Sequence, residues 1–237
     1  MSRVRQYGSA PQDHSPTYRR TAVASENEGR GCLSFYALTP LSVLFFGILI
    51  TFVVTHFPVQ TTALPPGNSP LPNRLAPLFT VEVQYWKEAV LRWSDESNLD
   101  PNLIATVMQI ESCGDAFARS SAGAKGLFQV MPYHFASNDD PFDPDTNALR
   151  GLTYLRHVVD LSNHNIEWSL AAYNGGPGLI GSGEWKWPAE TIRYVFWGSG
   201  IYADASQMKS TSRRLDEWLV AGGAGLCRKA HLQLNLP

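Results

Sequence analysis

Asp100-Pro101-Asn102-Leu103-Ile104-Ala105-Thr106-Val107-Met108-Gln109-Ile110-Glu111-Ser112 is a helix written with its own start signal. Asp100 is an N-cap residue, Pro101 fits the first helical position, and Leu103, Ile104, Val107 and Met108 form an apolar stripe. Glu111 continues that stripe, three residues after Met108 and four after Val107, so the pattern places a carboxylate on the face the helix buries. Burial disfavours the charged form and predicts a raised pKa, the condition a general acid needs at neutral pH. Periodicity alone is equally compatible with Glu111 pointing to solvent from a frayed last turn before Gly114.

Helical spacing continues on both sides. Val81, Tyr85, Ala89 and Trp93 recur every four residues, predicting one helix over Val81 to Trp93; Leu149, Leu152, Leu155 and Val159 mark another, and Trp168, Ala171 and Ala172 begin a third. No alternating strand run competes. The connections Ser120 to Pro132 and Gly175 to Gly183 are long and glycine-dense, the kind of loop that builds sites. After Tyr202, Leu215, Trp218 and Leu219 recur at helical spacing before Gly222, Gly223 and Gly225; this piece either packs on the main domain or docks a partner.

The first third of the chain is organised differently. From Gly31 to Phe57 there is no Lys, Arg, Asp or Glu, and Leu41 to Phe57 reads LSVLFFGILITFVVTHF, long enough with its flanks to cross a ~30 Å hydrocarbon layer. Arg3, Arg5, Arg19, Arg20 and Arg30 precede it, which places the N-terminus in the cytoplasm, and the long tail ahead of the apolar run favours an uncleaved anchor over a signal peptide. Pro58, Pro65, Pro66, Pro70, Pro72 and Pro77 then mark a stiff spacer. The expected organisation is a tail over 1–31, a transmembrane anchor over 32–57, a Pro-rich linker over 58–77, a working domain over 78–202 and a C-terminal extension over 203–237.

Removing the six basic and three acidic residues upstream of Leu78 from totals of 19 and 21 leaves 13 against 18, a formal charge of −5 for the remainder. That balance excludes nucleic acid as a partner, because such binding is driven by phosphate neutralisation. Asp143-Pro144-Asp145-Thr146-Asn147 starts like a calcium loop, but Ala148 and Tyr154 stand where Gly and Glu are needed, and helix capping explains it better. The six histidines form no ligand-spaced pair, so no metal and no cofactor is expected. Cys113 and Cys227, on the far side of the span, either pair or stay free.

Four blocks then occur in order: Glu111-Ser112; Gly123-Ala124-Lys125-Gly126-Leu127-Phe128-Gln129-Val130-Met131-Pro132; Ala172-Tyr173-Asn174-Gly175-Gly176-Pro177; and Pro188-Ala189-Glu190-Thr191-Ile192-Arg193-Tyr194-Val195. Together they resemble the soluble lytic transglycosylase family, whose catalytic domain is lysozyme-like. The resemblance covers roughly Val90 to Tyr202. Phe128 stands where the family usually has Met, a same-class swap expected to alter a sugar contact.

The resemblance implies an all-α fold, lysozyme-like with minimal strand, which the apolar run sets behind one N-terminal transmembrane helix. It makes Glu111 the catalytic acid/base, Ser120, Gln129, Met131, Tyr173 and Asn174 groove residues that hold the glycan, and Glu190 a buried carboxylate supporting the site. The implied activity is that of a membrane-bound lytic murein transglycosylase, cutting the β-1,4 bond between N-acetylmuramic acid and N-acetylglucosamine without water and leaving 1,6-anhydro ends. A goose-type lysozyme-like hydrolase and a non-catalytic glycan-binding scaffold are the alternatives. The implied partner is the peptidoglycan glycan strand, with general wall remodelling and local opening for an envelope-spanning machine both left open; the apolar run adds the lipid bilayer as a partner and places the protein in the bacterial inner membrane, single-pass, with the catalytic domain in the periplasm. Exposed-type aromatics such as Trp185 and Trp187 suit sugar stacking or core cover.

Overall fold

The computed structural model describes residues 73–237; the N-terminal tail, the apolar run Leu41 to Phe57 and most of the Pro-rich linker lie outside the described residues. Among the described residues, no helix is long and apolar enough to cross a membrane. The described residues form eight α-helices in order: α1 (Val81–Gln84), α2 (Lys87–Ser97), α3 (Pro101–Glu111), α4 (Pro144–Leu161), α5 (Ile166–Gly175), α6 (Ala189–Ser206), α7 (Arg213–Trp218) and α8 (Ala224–Gln233), with a π-helical turn over Leu219–Gly223 between the last two. The described residues contain no strand, only two isolated bridges that pair Lys125 with Arg119 and with Val130. The all-α expectation with minimal strand is met.

At the centre lies α3, every residue of which from Pro101 to Gln109 is buried. A helix buried on all sides is an interior one; the other helices supply its surroundings, and its polar side chains Asn102, Thr106 and Gln109 each find a hydrogen-bond partner. Asp100 fixes its start: one carboxylate oxygen accepts the Asn102 N–H at 2.8 Å, and the other accepts the Tyr202 hydroxyl of α6 at 3.0 Å. Burial pushes the Asp100 carboxyl above its ordinary range, and these hydrogen bonds pull against that rise. Asp143 caps α4 through the Thr146 N–H at 2.8 Å, which confirms the capping reading of that segment.

Three boundaries differ from expectation. Val81 to Trp93 is not one helix: the Trp86 N–H reaches back only three residues, to Val83, and the chain turns at Tyr85. Tertiary packing overrides periodicity there, because the Trp86 indole donates to the Gly114 carbonyl at 2.9 Å and stacks on Trp93. The linker ends earlier than 77, since Leu75 and Ala76 are buried in the core and the Ala76 N–H donates to the Asn102 side chain at 2.8 Å. Nor does the domain stop at 202. α6 runs through that point, and Leu215, Trp218, Cys227 and Ala230 join the same core. Cys113 and Cys227, with Cα atoms 4.9 Å apart, form a disulfide that closes this extension onto the turn following α3.

Because Asp100 serves both the α3 cap and the α3–α6 contact, Asp100→Ala should destabilise by roughly 2–4 kcal/mol. Tyr202→Phe, which spares the cap, should cost about 1 kcal/mol. Urea midpoints at constant m-value check both, and equal effects would show that the cap contributes little.

Candidate active site

Glu111 is the last residue of α3, and the chain leaves it through a tight left-handed turn with Cys113 at φ 54° and Gly114 at φ 87°. A Cβ at Gly114 would stand 2.9 Å from the Glu82 carbonyl, so only glycine lets this turn press against α1. Ser112 points the other way, and its hydroxyl donates to the Leu127 carbonyl at 2.8 Å. The second residue of the Glu-Ser block therefore ties the glycine-rich loop to the end of the catalytic-candidate helix.

That loop is held in shape from within and from behind. Lys125 and Val130 exchange backbone hydrogen bonds at 3.0 and 2.9 Å. Asn147 of α4, fully buried, accepts the Phe128 N–H and donates to the carbonyls of Lys125 and Pro141, each at 2.9 Å. Gly126, at φ 74°, lies so close that a Cβ would meet the Asn147 amide at 2.3 Å. The Tyr173 hydroxyl donates to the Phe128 carbonyl at 2.8 Å and joins the loop to α5.

In front of Glu111 opens a cavity of about 360 Å³. Ile110 and Glu111 form its floor, Asn174 comes from α5, and α6 contributes Glu190, Arg193, Tyr194 and Trp197 at the i, i+3, i+4, i+7 spacing of one helix face. Ala221, from the π-helical turn, closes a side. Part of Glu111 reaches this cavity, but its carboxyl is enclosed by protein, and that enclosure raises its pKa to about 8. Tyr194 opposes the rise and the Glu190 charge adds to it. The Tyr194 hydroxyl, itself buried, completes no hydrogen bond of standard geometry with the described residues, which leaves it available to a group entering the cavity. Both Tyr194 and Tyr173 are held well above the ordinary phenol range, first by burial and then by the Glu111 charge, so they act as neutral donors.

Of the residues expected at the site, Glu111, Asn174 and Glu190 meet in the cavity, and Tyr173 stands against Glu111. Asn174 is oriented by the Thr191 hydroxyl, which donates to its side-chain oxygen at 2.7 Å. Glu190 is not buried: it is exposed at the mouth, on the open side of the first turn of α6, while Thr191 beside it turns inward and is buried. Ser120 and Gln129 have their polar atoms engaged inside the loop, Ser120 accepting the Ala124 N–H at 3.0 Å and Gln129 donating to the Gly126 carbonyl at 3.0 Å. Met131, half-buried, starts the short 3₁₀ turn after the loop and does not line the cavity. Phe128 makes no sugar contact; it is fully buried and packs edge-on to Trp93. Arg193 and Tyr194 lie in the fourth sequence block with no role assigned to them, and Trp197 lies just beyond it; their spacing from Glu190 is the signal that joins them to the site. Glu82, Cys113 and Cys227 cluster closely, but the sulfurs are bonded to each other and offer no thiolate to a metal.

The family model described as transglycosylase SLT domain matches residues 88–190. That segment, less than half of the chain, is similar to the transglycosylase SLT domain. A transglycosylase of Enterobacteria phage PRD1 is 35% identical over 111 residues, 46% of this chain and 40% of that protein. The soluble lytic murein transglycosylase of Escherichia coli K12 is 30% identical over 101 residues, 38% of this chain and 16% of that protein. The solved lytic transglycosylase Slt of Pseudomonas aeruginosa, an inactive mutant, shares 25% identity with a TM-score of 0.44 and covers 54% of this chain and 25% of its own. The chain spans less than half the length of each of these relatives. The SLT match ends at the first turn of α6, so Arg193, Tyr194, Trp197 and Ala221 line the cavity from beyond it.

A carboxyl whose folded pKa lies near 8 against an ordinary 4.5 makes the fold less stable as pH rises between those values, with the full penalty above about 8. Glu111→Gln has no charge to bury. Its Tm should exceed that of the unchanged protein by roughly 5–10 °C at pH 9, and the gap should close toward pH 4. A gap independent of pH in a series of thermal melts would contradict the burial of an ionisable carboxyl.

Proposed function

We propose that the protein is a peptidoglycan lytic transglycosylase with Glu111 as its single acid/base. The observation that carries this reading is one enclosed carboxyl, proton-bearing at neutral pH, at the floor of a cavity whose other carboxylate stays at the open rim. Protonated Glu111 gives its proton to the glycosidic oxygen as the C1–O bond breaks. The sugar's own N-acetyl group stabilises the cationic centre. The Glu111 carboxylate then takes the proton of the C6 hydroxyl, whose oxygen bonds to C1. No water enters, the proton returns to Glu111, and the product ends in a 1,6-anhydro ring. Internal attack carries a high effective concentration, which replaces the second carboxylate that ordinary glycoside hydrolysis requires.

Glu190 favours one rival reading. It faces the same cavity, and a hydrolase that activates water would need a second carboxylate there. Product analysis separates the two: full-length protein acting on peptidoglycan should release muropeptides with anhydro ends, lighter by one water than hydrolysis products. Hydrated reducing ends as the main product would establish the lysozyme-like alternative. Glu111→Gln should lower kcat by at least ~10²-fold while glycan binding persists, which also separates an enzyme from a binding scaffold. Since the acid must be protonated, activity should fall as pH rises through about 8, and Glu190→Gln, by removing a like charge, should move that limb to lower pH.

The same reading places the domain outside the cytoplasm, tethered by the apolar run Leu41 to Phe57 in the inner membrane. The Cys113–Cys227 disulfide supports an oxidising compartment. A reporter active only outside the cytoplasm should work when fused after Gly67 and fail when fused before Gly31. The protein should stay with membranes through a high-salt wash, because a spanning helix is held by apolar burial and not by screened charge. Release by salt would replace the anchor with a cleaved leader.

A further inference from the structure

α6 has a second groove on its other flank. Glu190, Arg193, Tyr194 and Trp197 face the cleft, whereas Ile192, Val195, Phe196, Ser199 and Gly200 line a separate cavity of about 390 Å³. Its walls carry three aromatic rings from three elements: Trp168 of α5, Trp187 from the end of the glycine-rich connection, and Phe196 of α6. Each ring is at least part exposed, and Phe196 is 50% exposed, although apolar residues elsewhere on the same helix are buried. Two of the rings are held in place. The Trp187 indole N–H donates to the Ser182 hydroxyl at 3.0 Å, and the Arg214 guanidinium lies over the Phe196 ring at 3.7 Å. Gly200 makes room for Arg214, since a Cβ there would come within 2.7 Å of it.

The rim is polar and electronegative. Glu167 and Glu184 line it, and the one guanidinium among its lining residues, Arg214, is already paired with Glu217. Fixed aromatic faces with hydroxyl and carboxylate acceptors around them suit a neutral ligand that has an apolar face and many O–H donors. That is the chemistry of a pyranose ring, and of the neutral N-acetylglucosamine units of a strand in particular, since N-acetylmuramic acid units and stem peptides would bring carboxylates toward Glu167 and Glu184. The two cavities share α6 as a wall, with exposed Arg193 lining the cleft and exposed Phe196 lining the outer groove three residues on.

We propose that this outer groove is a second saccharide-binding site, which holds a distal stretch of the glycan strand whose bond the cleft cuts. The proposal rests on the peptidoglycan reading above. It makes the protein's affinity depend on strand length: a long strand crosses α6 and engages both grooves, while a four-sugar fragment fills the cleft alone.

The test compares full-length protein with Trp187→Ala and Trp168→Ala on peptide-free glycan strands and on a four-sugar fragment. Each variant should raise KM on long strands about five- to tenfold with kcat unchanged, and should leave both constants on the fragment unaltered. Unaltered fragment kinetics certify that the fold survives. Trp187→Phe, which keeps a ring face, should recover most of the long-strand affinity. In the Glu111→Gln background, direct binding of long strands should weaken by the same factor when Trp187→Ala is added. Unchanged long-strand KM in both alanine variants would overturn the proposal, as would equal losses on both substrates, or displacement of long strands by stem peptide lacking sugar. If the unchanged protein neither binds nor cuts any glycan, it is the peptidoglycan reading that fails, and the second site falls with it.

Discussion

Enclosing α3 on every side forces a choice at its end. A helix that is buried all round takes its whole length inward, and the residue that terminates it must either return to solvent or bring its polar group along. Glu111 stays. Its position in the last turn, where the helix dipole is negative, opposes ionisation in the same sense as burial does. The elements around it are arranged about that cost: Asp100 and Tyr202 set the angle between α3 and α6, the left-handed turn at Cys113 and Gly114 ends the helix abruptly, and Ser112 draws the glycine-rich loop up behind. A proton-holding carboxyl at neutral pH is thus first a product of the core, with the Glu190 charge a smaller addition.

The part of the site that could be read from sequence was the part governed by helix periodicity. Glu111 was legible because it falls on a stripe of buried apolar residues, and the Asp100 and Asp143 caps because N-cap chemistry is local. By the same reasoning Asn147 could have been found: with Ala148, Gly151, Leu152 and Leu155 it forms the inward face of α4, a polar residue where an apolar one is expected. The residues misplaced were those whose surroundings are set by distant elements. Glu190 sits on the open side of a first helical turn whose other side, at Thr191, is buried, Ser120 and Gln129 serve their own loop, and Trp86 leaves the helical register to reach a carbonyl 28 residues away. The pairing of Cys113 with Cys227, 114 residues apart, is a long-range closure of the same kind.

The last 35 residues bear on where this unit could be cut or transplanted. Ending the chain at residue 190 would remove nearly all of α6, including Tyr194 and Trp197; ending it at 202 would still remove Ala221 and leave Cys113 without its partner, two residues from Glu111. The upstream limit moves as well, because Leu75 and Ala76 are part of the core. The smallest portable module therefore extends beyond the recognisable SLT segment at both ends, from Leu75 through Ala230. Homology marks where ancestry is detectable, while the covalent link and the cleft wall mark where the physical object ends.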